Sequence, residues 1–579
     1  MSERMNCGYL DDGGEPLHIV YQPAVGQACG TVLLCSALCL EATHAASVWK
    51  RWARQLAHAG WNTVRFDWGG TGESSGDFTE MTFEHWRTDL QRIYEMLAAS
   101  NHCPIVLLGL RGGSLLAAHA FDEGIGRALV LWEAPVSGRA HLMEVLRRKL
   151  AADYALGTLG TRKTRDDYIA ELQAGEHVEV EGFRWTKSFW DSFCKVELPA
   201  VVDGRPTVHM SSRSHSAPCP PFWQDSSDFR PAISEWSDAT LAFLDNLDRI
   251  RPDLAGFPRL QQVARFATVE RQLLSVRYET HRLAVTHHAP AGPSAAALVF
   301  PNFGYVPRSG QAGIAARICD EVARRGVHGL RVDMPALGDS EGELPEYLPE
   351  WAEGVRAGSL AAPVLAAIAD FRQRLGIERV ILGGLCAASI TALYAFNEHP
   401  NSLCGLVLLE PELFTGESVA RQDEATDGRR SDRRSTSGWF RIMSSAHRVF
   451  TGWGWMRVIT GENESARGLP LPRGLVRRLF LIQKDSLPAR TNLPLVAAWQ
   501  TAIRCRIPML VMTAHGGMRE LFFERVNLVV APDYVKLVGA GRAIEHVRVP
   551  GTNHNFTAGK AIDCVTAEVV KWVERQTKC

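Results

Sequence analysis

The residues of this chain that most directly offer chemistry lie in the run RVILGGLCAA, Arg379 to Ala388, where an apolar stretch ends in glycine and Cys386 is flanked by small residues. A nucleophile at a sharp strand-to-helix turn, G-x-Nu-x-G, needs this spacing. Small neighbours let the strained backbone approach the next strand while the side chain projects outward. A helix starting at Ala387 would aim its free N–H groups at a thiolate or a developing oxyanion. A buried structural cysteine is the competing reading. A base is expected near the C-terminus, and the strand-like HVRVP followed by Gly551-Thr552-Asn553-His554 supplies His554 to accept the Cys386 proton, unless it is a plain surface histidine. A supporting acid should follow the apolar run IPMLVMT. Glu520 is the nearest carboxylate there, Glu410 after GLVLLEP is the alternative, and a bare Cys–His dyad is the third, since a thiol ionises far more readily than a hydroxyl. Order along the chain assigns the oxyanion donors to the Ala387 N–H and the loop holding Phe303 and Gly304.

The elements that must position these residues occur twice. TVLLCS, an amphipathic SVWKRWARQLAHAG and WNTVRFDWGGTGESSG in the first half match AALVFP, GIAARICDEVARRG and VHGLRVDMPALGDSEG in the second. Each copy carries R-x-D-x-x-x-x-G-x-S: Arg65, Asp67, Gly72 and Ser74, then Arg331, Asp333, Gly338 and Ser340. Apolar strands alternating with amphipathic helices predict an α/β fold, a mostly parallel doubly wound sheet, in tandem, each with a cap insertion. The boundary falls between residues 255 and 275, giving domains 1–260 and 261–579, the second with a lid insertion over about 412–505. In the first copy the turn reads Gly109-Leu110-Arg111-Gly112-Gly113, and a guanidinium cannot attack a carbonyl. Ser114 would serve only with a shifted turn. The base position holds Pro220-Pro221-Phe222-Trp223-Gln224, and His209 and His215 come too early, so the first domain is expected to be catalytically retired.

Composition narrows the partners. With 63 Lys+Arg against 64 Asp+Glu in 579 residues, no broad charge favours nucleic acid or an anionic membrane. The 13 cysteines are scattered without metal-ligand or disulfide spacing, so no metal and no cofactor is expected, and a reducing cytoplasm is the expected location. There is no signal-like start and no apolar run of about 18 residues. The charged segment at 416–438 reads as a loop, and WFRIMSSAHRVFTGWGWMRVI as lid surface that either receives an acyl chain or packs the lid onto the core.

These motifs resemble the α/β-hydrolase superfamily, in particular exosortase-associated, serine-aminopeptidase-like hydrolases. Gly109 to Gly113 and Pro220 to Trp223 are similar to a type with a G-L-R-x-G elbow and a P-P-F-W loop. Gly384 to Ala388 with Asn553-His554 are similar to members with a G-L-C-x-x elbow. Such relatives carry an aspartate after the strand at 508–513, where this chain has His515 and Gly517. Cysteine elbows also occur in dienelactone hydrolase and polyester synthases. The resemblance therefore implies covalent acyl chemistry: hydrolysis of an acyl ester or thioester, small or carrier-protein-bound, through acyl-Cys386. Acyl transfer to an alcohol or amine is the alternative, and a non-catalytic binding or scaffold protein the third reading.

Overall fold

The structure, a computed structural model, describes residues 6–10, 12–100, 104–156, 163–200, 204–212, 222–224, 234–247, 257–345, 348–414, 487, 491–531, 534–539, 543–558 and 560–577. The bulk of the expected lid, with its aromatic stretch, lies outside these residues, as do His215, Pro220 and Pro221.

Two large sheets form. The first contains β1 (Asn6–Leu10), β2 (Leu17–Gln22), β3 (Thr31–Cys35), β4 (Asn62–Phe66), β5 (Ile105–Leu110), β6 (Ala128–Trp132) and β9 (Thr207–Met210) in the order β1-β2-β4-β3-β5-β6-β9. A small hairpin of β7 (Val178–Val180) and β8 (Phe183–Trp185) sits with three helices, Gly138–Leu156, Arg165–Gln173 and Lys187–Cys194, in the cap inserted between β6 and β9. The second sheet runs β10 (Val263–Phe266), β11 (Val269–Tyr278), β12 (His281–Ala289), β14 (His328–Val332), β13 (Ala296–Pro301), β15 (Arg379–Leu385), β16 (Gly405–Leu409), β17 (Met509–Ala514) and β18 (Ile544–Val549).

From β13 onward every neighbouring pair in the second sheet is parallel, and β12 enters antiparallel to β14. The first sheet repeats this pattern, with β2 antiparallel to β4 and parallel pairing from there to β9. Parallel strands covered on both faces need apolar residues at every position rather than at alternate ones, which is why TVLLC, IVLLGL, AALVFP and GLVLL are buried throughout. The strand order and the crossovers give both halves the same mostly parallel, doubly wound α/β fold. Among the described residues the first sheet has no counterpart of β18, the strand that leads into the His554 loop of the second.

Helices close both faces. Residues 493–505, expected in the lid, instead form a core helix, Leu493–Cys505, capped by the Asn492 side chain accepting from the Leu495 N–H. Its apolar residues, among them the fully buried Trp499, pack beside the helix that follows Cys386, so burying this stripe outweighs exposing it in a cap. The sheets meet at their edges, where Tyr9 and Gln261 exchange backbone hydrogen bonds of 2.8 and 3.0 Å. Among the described residues no single helix is long and apolar enough to cross a membrane.

Candidate active site

Strand β15 ends at Leu385, and Cys386 follows with φ 55° and ψ −109° as the residue ahead of the helix Ala387–Glu398. The left-handed φ is strained for a residue with a side chain. It is held by the Cys386 N–H donating to the Leu409 carbonyl at 2.9 Å and by Ser389, whose single hydroxyl proton is shared between the carbonyls of Gly384 at 2.6 Å and Leu409 at 2.9 Å. Gly384 is required by close approach: a Cβ there would stand 2.5 Å from the Phe303 ring.

The first domain reproduces the turn without a nucleophile. Arg111 has φ 54° and ψ −125°, its N–H donates to the Trp132 carbonyl at 2.9 Å, and Ser114, wholly buried, donates to that same carbonyl. Ser114 is therefore the counterpart of Ser389, a lock on the turn. The Arg111 guanidinium pairs with Glu41 and Glu144 and lies over the Trp223 ring.

Around the Cys386 sulfur the structure assembles residues that spacing alone does not reveal. The thiol donates to Glu412 Oε2 at 3.2 Å, and Arg519 Nη1 donates to the sulfur at 3.1 Å. Arg519 also reaches Glu412 at 3.3 Å, and Arg356 pairs with the other Glu412 oxygen at 3.0 Å. Glu412 lies in the loop after β16, Arg519 in the first turn of the helix Met518–Val530, and Arg356 at the end of the helix Leu348–Arg356. Burial pushes the Cys386 thiol up to about 11; Glu412 adds to the rise and Arg519 opposes it. Burial also works against charge on Glu412, but Arg519 and Arg356 outweigh it and hold this carboxyl below its ordinary value.

His554 follows β18 in a turn fixed by Asn553, whose side chain accepts from the Thr557 N–H at 2.9 Å. Burial, with the Arg519 guanidinium acting in the same direction and Glu412 against it, lowers His554 to about 3. It shares the electrostatic surroundings of Cys386 and is neutral at physiological pH. No hydrogen bond joins Cys386 to His554 among the described residues.

The two carboxylates expected as acids are engaged elsewhere. Glu520 accepts from the Gly516 N–H at 2.6 Å and Arg548 Nε at 2.7 Å, and stands 3.5 Å from His515. Glu410, at φ 50°, turns its carboxylate to the Ala514 N–H. Its counterpart in the first domain, Glu133 at φ 48°, takes the Ser212 N–H in the same way, so this glutamate ties neighbouring strand ends in both copies. Burial raises Glu410 to about 7. Glu412 and Arg519 lie two residues and one residue from the residues that spacing indicates; the repeated glutamates of LLEPEL and the Arg519-Glu520 pair are the only trace of them in the sequence.

The expected oxyanion donors border the same turn. Ala387 is the first helical residue, where an N–H has no intrahelical acceptor. Phe303 packs against Gly384, and Gly304 has φ 76°. Among the described residues no group of three or more His, Cys, Asp or Glu side chains is placed to hold a metal ion.

No protein-family model and no curated protein matches the chain. Solved structures similar to it include DcsB in complex with its substrate analogue (12% identity, TM-score 0.33, 53% of this chain and 100% of that one). Est1E from Butyrivibrio proteoclasticus with bound ferulic acid (11%, 0.31, 53% and 100%) and dienelactone hydrolase from Anabaena variabilis (12%, 0.31, 52% and 96%) are also similar.

Proposed function

We propose that the second domain is a hydrolase of acyl esters or thioesters that works through a covalent acyl-Cys386 intermediate. The observation that carries this reading is the Cys386 sulfur at a left-handed strand-to-helix turn, bonded at once to a carboxylate, Glu412, and a guanidinium, Arg519.

In the resting site the sulfur is a thiol, and its proton already points at Glu412. On attack the proton passes to Glu412 while Arg519 compensates the sulfur's charge, and the S–C bond forms at the substrate carbonyl. The tetrahedral oxygen accepts from the Ala387 N–H and from the Phe303–Gly304 backbone. Collapse breaks the bond to the leaving group, which takes the proton. Water then gives a proton to His554 and attacks the thioester, and the returning proton restores the Cys386 thiol as the acid departs. A histidine lowered to about 3 holds that proton only beside new negative charge, and the tetrahedral oxyanion supplies it.

The test is intact-mass and peptide spectrometry after incubation with short- and medium-chain acyl thioesters and p-nitrophenyl esters, with Cys386→Ala as control. An adduct on Cys386 that disappears in water supports hydrolysis. One that persists until an amine or alcohol arrives replaces it with acyl transfer. No adduct with any donor overturns the catalytic reading.

A further inference from the structure

The repeated R-x-D-x-x-x-x-G-x-S segments, which the catalytic reading leaves unused, face each other across the domain boundary. Glu73, next to Gly72 in the first copy, receives both terminal nitrogens of Arg331 from the second, at 2.5 and 2.8 Å. Asp339, next to Gly338 in the second copy, meets Arg65 of the first at 3.4 Å. Each copy's acid thus reaches the other copy's arginine, the reciprocity of a two-fold contact. Within each copy the same bonds recur: Ser74 donates to the Asp67 carbonyl and Ser340 to that of Asp333, while the Glu73 and Asp339 N–H groups donate to the Asp67 and Asp333 carboxylates.

The reciprocity breaks at one place. In the first domain β3 is followed almost directly by the helix Cys39–His58, whereas in the second the chain from Asn302 to Gly310 intervenes before the helical residues. That added loop contains Phe303 and Gly304, and it is fastened to the interface. The Thr286 hydroxyl donates to Glu73 Oε2 at 2.8 Å and accepts from Arg308 Nε at 2.7 Å. The Arg308 N–H and guanidinium both reach Asp333, and Asp333 accepts from Asn302 Nδ2 at 2.6 Å. Asn302 also holds the Val306 carbonyl at 2.8 Å and receives the Met334 N–H, closing the loop on itself. Glu73, Arg331 and Arg308 are all buried.

We propose that Glu73 of the retired first domain is a positioning residue for the second: through Thr286, Arg308 and Asp333 it sets the Asn302–Arg308 loop against the Cys386 turn, so the first domain acts as a built-in activating subunit. This rests on the catalytic reading for its kinetic consequence but not for the loop coupling itself. A buried ionic chain has few alternative arrangements, and a displacement of about 1 Å in a donor lowers turnover steeply.

The experiment compares Glu73→Gln with Arg54→Gln in the full chain. Both weaken contacts between the two halves, but Arg54 bonds Glu343 at 2.7 Å and the Gly342 carbonyl at 3.1 Å, outside the loop, whereas Arg65 would be no such control because its partner Asp339 also holds Arg308 at 2.8 Å. For Glu73→Gln, kcat for an acyl thioester is expected to fall about 10- to 100-fold with little change in KM. Hydrogen exchange of amides 302–308 is expected to accelerate relative to the helix Ala387–Glu398. Arg54→Gln, which breaks a largely exposed pair, is expected to keep kcat within about twofold and the loop's exchange unchanged. Equal effects of the two variants on kcat and exchange, or unchanged exchange at 302–308 in Glu73→Gln, would overturn the proposal. If wild type shows no turnover, the catalytic reading fails while the exchange comparison still decides the coupling. If Glu73→Gln does not fold, Thr286→Val, which removes the hydroxyl bridge to Arg308, leaves only the direct 3.9 Å approach of Glu73 to Arg308 and spares the Glu73–Arg331 pair, is expected to give the same split, and its failure to do so would equally overturn the proposal.

Discussion

A thiol held between a carboxylate and a guanidinium responds to each in opposite senses, and this separates reactivity from catalysis. With Cys386 raised to about 11, only about one molecule in a thousand carries the thiolate at pH 8. Glu412→Gln removes the charge that raises the thiol, so iodoacetamide should label Cys386 several-fold faster at pH 8. Arg519→Gln removes the charge that lowers it, and labelling should slow by a similar factor. Both variants are expected to lose acyl turnover, because in the proposed mechanism Glu412 takes the proton and Arg519 supports the sulfur. Labelling rate against pH with each variant, beside thioester hydrolysis, checks the pair; labelling changes of the same sign would remove this account of the site.

Glu410 makes a different prediction at the same scale. Its carboxyl is raised to about 7 in the folded protein, from an ordinary value near 4.5, so the folded state holds a proton that the unfolded state releases earlier. Its contribution is therefore complete below about pH 4.5 and is lost as pH rises through 7, amounting to roughly 3 kcal/mol. Denaturant unfolding of Glu410→Gln is expected to lack this fall between pH 4.5 and 7 while keeping the acceptor for the Ala514 N–H.

At the scale of elements, the turn at Cys386 is legible in the sequence because its determinants are local: an apolar strand, Gly384, and small residues opening a helix. His554 is legible through its place after the last strand. Glu412 is not, because a left-handed Glu410 turns one glutamate of the loop toward Ala514, and nothing in the spacing tells which of the two will turn. Arg519 depends on where a helix begins, and a shift of one residue exchanges it for Glu520. The helix Leu493–Cys505 shows the converse limit, since amphipathic periodicity identifies a helix without saying which surface it covers. The turn's geometry gives its own prediction. Gly384→Ala places a methyl 2.5 Å from Phe303 at a backbone angle of φ 138°, so the loop carrying Phe303 must move. Turnover should fall at least about tenfold with the circular dichroism spectrum retained, and Phe303→Ala in the same chain should recover part of it. Additive losses in this double-mutant cycle would mean that ring and turn are not coupled.

At the scale of the molecule, the duplication predicts two domains from sequence alone, but not that the two copies of one motif grip each other, because pairing across a boundary leaves no periodic trace in either copy. The two ends of that grip differ in strength. Glu73–Arg331 is bidentate and almost wholly buried, with side chains 4% and 0% exposed, whereas Asp339–Arg65 is a single contact of 3.4 Å with side chains 9% and 15% exposed. Removing one partner of a buried pair strands the other charge and costs about 3–5 kcal/mol, while a looser contact is worth about 1 kcal/mol or less. Arg331→Gln should thus lower unfolding free energy several times more than Arg65→Gln in urea titrations at pH 7. Arg331, with Arg308, holds Glu73 well below its ordinary value, and Arg308, with His18 and Arg65, lowers Asp339. The contribution of these acids is present above about pH 4 and is lost as pH falls toward their folded values. Repeating the titrations at pH 3 should narrow the gap between wild type and Arg331→Gln, since below about pH 4 the unfolded chain takes up a proton on Glu73 that the Arg331 contact resists in the folded one; a gap as wide at pH 3 as at pH 7 would show that this contact is not what joins the halves.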